Sequence, residues 1–410
     1  MKKIYALIML AACLCAPACE KLGIGGDDVE ETAPAVPIEL TKADGAIRDA
    51  SNASGLDIFS RLYAVREGKD VSFSPLSLSL AFAMAAEGAE GDTYRQIADA
   101  FGWGYATKEE LGAFYRKMID GLVAADPKVS FTSSNSLWTA QDFAPKESYK
   151  KLLGDHFAAE SYQVDFTAAA TLKKINDWCS AKTDGKIPHM LDSLDPATRM
   201  MLINALLYKA PWATEWTVEK DRAFRGDGAV SKKDFLHADK SFGYADLSEC
   251  EAVSLPYGNG AYEMLVFLPK EGRTVEGILP LLREKAGGLV LPTRTVEVHL
   301  PMFSTEYSTE SALPAILRAK GVRLAFSDAA DFSGISEAEA VMISQVLQKV
   351  KIDVTEKGTE FAAVTVIGFV NSSMPVTPPK KIVFDADRPF VYMIRETSTN
   401  TILLVGTLSK

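Results

Sequence analysis

Hydrolytic chemistry on this chain would need a nucleophile, a base and a group that orients the base. The bases on offer are four histidines, His156, His189, His237 and His299, and none sits in a pattern that pairs it with a nucleophile. No G-x-S-x-G turn presents a serine. Gly23-x-Gly25-Gly26 lies in a polar stretch and Gly102-x-Gly104 stands alone, so neither makes a phosphate loop. Four histidines in 410 residues also argue against a His-rich metal site. No catalytic residue, metal or cofactor is therefore expected, and each histidine reads as surface or satisfied core. What remains are five cysteines and one long, nearly uncharged segment, 356–379.

Three cysteines, Cys13, Cys15 and Cys19, close the N-terminal run MKKIYALIMLAACLCAPAC. Lys2 and Lys3 precede an apolar stretch, Ile4 to Ala16, too short to span a bilayer. The pattern resembles a bacterial lipoprotein signal, in which the cysteine after the cut is diacylated. Leu10-Ala11-Ala12-Cys13 is the better tetrapeptide match, whereas Ala16-Pro17-Ala18-Cys19 leaves a more usual apolar length and a polar segment follows at once. Cys19 is the favoured anchor and Cys13 the alternative; a cleaved ordinary secretory signal is the competing reading. The expected location is an exported lipoprotein on the outer membrane or cell surface facing the extracellular space, with the periplasmic face as alternative. Residues 20–40, with Gly25-Gly26, Glu30-Glu31, Pro34 and Pro37, read as a tether. The organisation expected is 1–18 signal, 19–44 lipidated cysteine and tether, and 45–410 folded domain. Cys179 and Cys250 then remain, and read as two separate buried thiols.

The elements that must position anything functional follow from composition and pattern. Apolar residues make up 47% and charged residues 24%, which suits a globular chain. A net charge of −10 excludes sequence-independent nucleic-acid binding, which needs a basic footprint. Length suggests two or three domains, yet no second linker or repeat interrupts the chain after about residue 41. Helical periods cover Leu56–Arg66, Pro75–Glu87, Thr93–Phe101, Lys108–Ala125 and Ala168–Thr183. Met200–Tyr208 is a continuous apolar run, as of a strand covered on both faces. Residues 252–256 and 261–268 flank Gly258-Asn259-Gly260, a hairpin signal. Strands are also predicted at Val296–Leu300, Met342–Val354, Ile382–Phe384, Phe390–Ile394 and Ile402–Leu408. Helices first and strands later give an α+β class.

Residues 356–379, EKGTEFAAVTVIGFVNSSMPVTPP, are small or β-branched and carry no charge after Glu360. An exposed run of this kind is an aggregation hazard unless a sheet needs it as a strand. The stretch Glu356-Lys357-Gly358-Thr359-Glu360-Phe361-Ala362-Ala363 resembles the hinge of the serpin reactive-centre loop. Other serpin-like motifs occur in order: Phe73-Ser74-Pro75-Leu76-Ser77, Asn135-Ser136-Leu137-Trp138, Asn204-Ala205 through Trp212, Asp331-Phe332-Ser333-Gly334, and Phe384 to Val391. The resemblance covers about 45–410.

It implies a serpin fold, with a large central β-sheet, two smaller sheets, eight or nine helices and an exposed reactive-centre loop at about 356–379. It implies inhibition of extracellular serine endopeptidases, with cysteine endopeptidases as a further option: the cleaved loop inserts into the central sheet while the protease is still acylated. Fourteen residues, 359–372, at ~3.3 Å each would add roughly 46 Å of strand. Alternation would turn Thr359, Phe361, Ala363, Thr365, Ile367 and Phe369 inward, with no charge among them. The family prefers a small residue where Phe361 stands, and a bulky one could slow insertion. A non-inhibitory serpin acting as substrate, decoy or binding protein is therefore the alternative. The family's loop count from Glu356 places the reactive bond at Ser372–Ser373, with Val370 and Met374 as alternatives. No Lys or Arg lies between Gly358 and Pro379, so elastase-like or chymotrypsin-like targets are favoured over trypsin-like ones. Ser74, Ser77, Asn204, Trp212 and Gln348 match positions that gate the sheet; the family often has histidine where Gln348 lies. A monomer is expected.

Overall fold

In the computed structural model the described residues are 33–68, 70–285, 288–309, 312–338, 340–359 and 381–410. The expected signal segment, Cys13 and Cys19 lie outside them. Residues 33–410 form one compact unit. The expected tether ends sooner than residue 44. Val36 N–H already bonds Ala125 O at 3.1 Å, and Ile38 is buried.

Eight α-helices are present among the described residues. α1 (Lys42–Ala64) starts at a capping box, with Thr41 Oγ1 accepting from Asp44 N–H and Asp44 accepting from Thr41 N–H. α2 (Pro75–Gly88) has Ser74 as N-cap and proline at its first position. Its residues are apolar all round and all but Ala81 are buried, because α2 touches both sheets. The rest are α3 (Gly91–Phe101), α4 (Lys108–Ala124), α5 (Glu147–Phe157), α6 (Ala169–Lys182), α7 (Val275–Lys285) and α8 (Ala312–Ala319).

The strands in chain order are β1 (Ser72–Phe73), β2 (Ser130–Ala140), β3 (Glu160–Val164), β4 (Met200–Pro211) and β5 (Thr217–Gly226). Next come β6 (Ala229–Asp246), β7 (Cys250–Tyr257), β8 (Tyr262–Pro269), β9 (Thr293–Pro301) and β10 (Phe303–Ser308). The C-terminal set is β11 (Lys349–Thr355), β12 (Gly358–Thr359), β13 (Ile382–Asp385), β14 (Phe390–Glu396) and β15 (Ile402–Leu408). One sheet has six strands in the order β10-β11-β12-β4-β2-β3. The other has nine, β1-β15-β14-β8-β7-β6-β9-β13, with β5 also on β6. The two smaller sheets expected from the resemblance are thus halves of one. The 18-residue strand β6 joins them by pairing with β5 and β9 along one part and β7 along another.

Two strand expectations change at the centre of the six-stranded sheet. Met342–Val354 is regular only from Lys349 onward, and Met200–Tyr208 is only half-buried at most positions. Both border a cleft of about 190 Å³ between β4 and the 341–353 segment. Among the described residues only the two-residue β12 bridges that gap. Without a ladder partner a strand edge loses its regular pairing. Cys179 and Cys250 are buried and unpaired, and burial pushes their thiols up to about 12 and about 11.

One buried acid gives the fold a pH dependence. Glu87 ends α2 with a fully enclosed carboxylate, and burial raises its pKa from 4.5 to about 7. His156 Nδ1 of α5 lies 3.6 Å from Glu87 Oε1, and neither atom has a hydrogen-bond partner among the described residues. The folded pKa lies above the unfolded one, so this group's stabilisation is complete below about 4.5 and lost as pH rises through about 7. The loss is on the order of 3 kcal/mol. In urea titrations, Glu87→Gln should match the native chain near pH 5 and exceed it at pH 8; equal midpoints at pH 8 would contradict this origin.

Candidate functional site

The cleft between β4 and β11 is headed by the hinge. Thr355 to Gly358 turn back on themselves, Thr355 Oγ1 donating to Gly358 O at 3.1 Å. Gly358 and Thr359 then enter as β12, antiparallel to both neighbours: Gly358 opposite Pro211 and Thr355, Thr359 opposite Ala210 and Val354. Gly358 is required by geometry. Its φ is +147°, and a Cβ there would fall 2.1 Å from Ala210 O. Thr359 is buried and its hydroxyl lies 2.5 Å from Tyr257 OH, so the inward sense expected for it holds. Glu356 is exposed on the turn. Glu360, Phe361, Ala362 and Ala363, and Val370, Ser372, Ser373 and Met374, lie outside the described residues.

Trp212 clamps the hinge from the β4 side. Its indole Nε1–H donates to Thr355 O at 2.9 Å, its backbone N–H donates to Lys357 O at 3.3 Å, and its ring stacks on Tyr257 at 4.4 Å. Tyr257 went unnoticed in the sequence because it ends a hairpin strand with no local pattern of its own.

Lower in the cleft, Gln348 and Ser74 meet as two amides. Gln348 Oε1 accepts from Ser74 N–H at 2.7 Å and Gln348 Nε2–H donates to Ser74 O at 3.0 Å. Glutamine supplies both the donor and the acceptor this pairing needs. Ser74 Oγ donates to Leu403 O at 2.6 Å and accepts from Ser77 N–H at 3.2 Å, so it is both helix cap and network member. Gln348 N–H also donates to Thr309 Oγ1 at 2.9 Å.

Asn204 stands apart from these. It donates to Ser133 Oγ at 3.0 Å and Asn135 Oδ1 at 2.8 Å, and among the described residues no bond joins it to Ser74 or Gln348. Among the described residues, Ser74, Ser77 and Gln348 thus form one hydrogen-bonded group along the cleft and Asn204 belongs to another. Asn135, buried and anchored to Phe157 O, belongs with Asn204; its place opposite Asn204 in the β2–β4 ladder is visible only in the fold. Asn204 Oδ1 and Tyr208 OH, on the β4 wall, are buried without a protein partner among the described residues.

The arrangement is a sheet with a strand-sized opening, a short strand started in it, and polar groups along both walls. A family model described as serpin (serine protease inhibitor) matches residues 49–410. The chain belongs to the serpin family. It is 32% identical to leukocyte elastase inhibitor of Bos taurus, over 88% of this chain and 98% of that one. It is also 32% identical to Iripin-2 of Ixodes ricinus, over 90% of this chain and 94% of that one. Among solved structures, native tengpin, a thermophilic serpin, superposes with a TM-score of 0.79 at 27% identity, covering 92% of this chain and 97% of that one. The family is one of protease inhibitors rather than enzymes.

Gln348→Ala would strand the buried N–H of Ser74, while its C=O keeps the Leu78 N–H at 3.2 Å. An unsatisfied buried donor costs about 1–3 kcal/mol. The first unfolding transition in guanidinium should therefore shift to lower denaturant by about 1 kcal/mol or more. An unshifted midpoint would show that the Ser74–Gln348 pair does not hold the cleft.

Proposed function

We propose that this serpin is a suicide inhibitor of extracellular serine endopeptidases, trapping the acyl-enzyme by inserting its cleaved loop between β4 and β11. The observation that carries this reading is the seated hinge: Gly358 and Thr359 already pair on both sides at the head of the cleft. Continued by the same register, the loop would bring Phe361 opposite Tyr208 and Ile352, and Thr365 opposite Asn204 and Gln348. A threonine hydroxyl there would offer a donor to Asn204 Oδ1, which has no partner among the described residues. Phe361 would meet the aromatic group of Tyr208, Tyr257 and Tyr262, whose ring centroids lie 5.4 to 5.7 Å from Tyr208.

The reading takes Ser372–Ser373 as the reactive bond, with Val370 and Met374 as alternatives, and elastase-like or chymotrypsin-like enzymes as targets. Mixing the chain with such a protease should give an SDS-stable complex, and mass spectrometry should find the cut near Ser372. Phe361→Ala should not lower the inhibition efficiency. Cleaved chain and free enzyme across elastase-, chymotrypsin-, subtilisin- and papain-like proteases would sink the inhibitor reading and leave a substrate or decoy. A large rise in the stoichiometry of inhibition for Phe361→Ala would mark Phe361 as an adapted part of the insertion site.

The N-terminal pattern supports export as a lipoprotein anchored through Cys19, or Cys13, facing the extracellular space. In a bacterial host, radiolabelled palmitate should enter the chain and be lost in Cys19→Ser. Label retained in Cys19→Ser but lost in Cys13→Ser moves the anchor; no label in the native chain removes it.

A further inference from the structure

The histidines that stand without pattern in the sequence do not stand apart in the fold. His237 on β6 lies directly opposite His299 on β9 in the antiparallel ladder. The rung continues to Thr217 on β5, opposite His237, and to Asp385 on β13, opposite His299. The two imidazole rings stack with centroids 4.7 Å apart. A ring nitrogen of each and a carboxylate oxygen of Glu219 all lie within 4.8 Å of one another.

Hydrogen bonding decides which nitrogens are free. With Thr217 Oγ1 donating to His237 O at 3.1 Å, its lone pair accepts from His237 Nδ1–H, 3.2 Å away. In that arrangement His237 carries its proton on Nδ1, the tautomer that leaves Nε2 open to an ion. His299 Nδ1 lies 2.9 Å from Glu219 Oε2, a carboxylate that only accepts, so His299 is protonated on Nδ1 as well. Both Nε2 atoms then lie close to the same atom, Glu297 Oε1, at 3.3 and 3.5 Å. With both rings neutral in these tautomers, no proton lies between either Nε2 and that oxygen. The two separations from Glu297 Oε1 are close to the ~3.3 Å between neighbouring ligand atoms on a tetrahedral ion with bonds of about 2.0–2.1 Å.

The surrounding charge has the same sense. The groups facing the pair are Glu219 and Arg222 on β5, Asp239 on β6, Glu297 on β9, and Lys381 and Asp385 at β13. Four carboxylates against two cations leave a balance of −2 around neutral histidines. Lys381 holds Glu297 through Oε2, at 3.0 Å, and so leaves Oε1 for the cluster. Asp385 is held by Arg222 through Oδ2, while its buried Oδ1 has no partner among the described residues.

We propose that His237 Nε2, His299 Nε2 and Glu297 Oε1 form a binding site for a borderline divalent transition metal, zinc being the representative ion. Glu219 and Thr217 are positioning residues that fix the imidazole tautomers, the arrangement usual behind metal-bound histidine. The nitrogen-rich ligand set selects against Mg²⁺ and Ca²⁺, which prefer oxygen. A water molecule completes the fourth position. The ion would tie β6 to β9 beside β13, the strand that follows the reactive loop.

The test is calorimetric titration of the tag-free, metal-free protein with Zn²⁺, repeated with Co²⁺ to read a tetrahedral absorption band. One equivalent is expected to bind, undisturbed by excess Mg²⁺. His237→Ala and His299→Ala should each abolish it, and Glu219→Gln should weaken it about 10–100-fold. His156→Ala and His189→Ala should bind as the native chain does. His237 is partly exposed, so its variant keeps the test valid should His299→Ala fold poorly. Failure to bind one equivalent, or binding that survives both His237→Ala and His299→Ala, overturns the site; a protonated, metal-free histidine pair would then account for the cluster.

Discussion

The structure depends on a sheet that, among the described residues, is open between β4 and the 341–353 segment. β4 and the 341–353 segment stand either side of a cleft, and an unpaired strand edge facing an apolar interior is costly. Everything around the cleft limits that cost. Trp212 and Tyr257 hold the hinge at its head, where Gly358 alone allows the backbone to approach Ala210 O. Ser74 and Gln348 close the amide pairing lower down, and Asn204 leans away toward Asn135 and Ser133. The opening thus costs little enough to persist while remaining receptive to a strand.

The walls are not symmetric. On the β11 side Gln348 spends both ends of its amide on Ser74 and is satisfied. On the β4 side Asn204 Oδ1 and Tyr208 OH remain without protein partners among the described residues. Buried polar atoms in that state are a reservoir of free energy that a correctly registered strand can release. Hydrophobic burial favours a new strand at any register, whereas the unpaired atoms favour one register. In the second sheet the rung from Thr217 through His237 and His299 to Asp385 crosses four strands and ends on β13.

Much of this was legible in the sequence where the signal is local. Ser74-Pro75 marks the start of α2, Gly258-Asn259-Gly260 marks the β7–β8 hairpin, and the loop hinge identifies itself by Gly358 and the small residues after it. Where the determinant is an absent neighbour, the pattern misleads. Residues 342–348 have strand composition but no regular pairing among the described residues, and Met200–Tyr208 reads as fully covered yet lines the cleft. α5 was missed because only Tyr149, Leu153 and Phe157 face inward, on a helix otherwise rich in lysine. The placing of Gln348 and Asn204 on different walls, the pairing of Asn135 with Asn204 and the His237–His299 rung all depend on ladder register between distant strands. No spacing along the chain encodes that register.

The central claim is that the cleft accepts the cleaved loop as a strand. The most direct test compares the thermal unfolding of the intact chain with that of a chain nicked by a protease between residues 360 and 379. Insertion would pair both strand edges, satisfy the β4 wall and close the sheet, so the nicked chain should unfold at a much higher temperature than the intact one. A nicked chain that unfolds at the same temperature, or a lower one, would contradict the account.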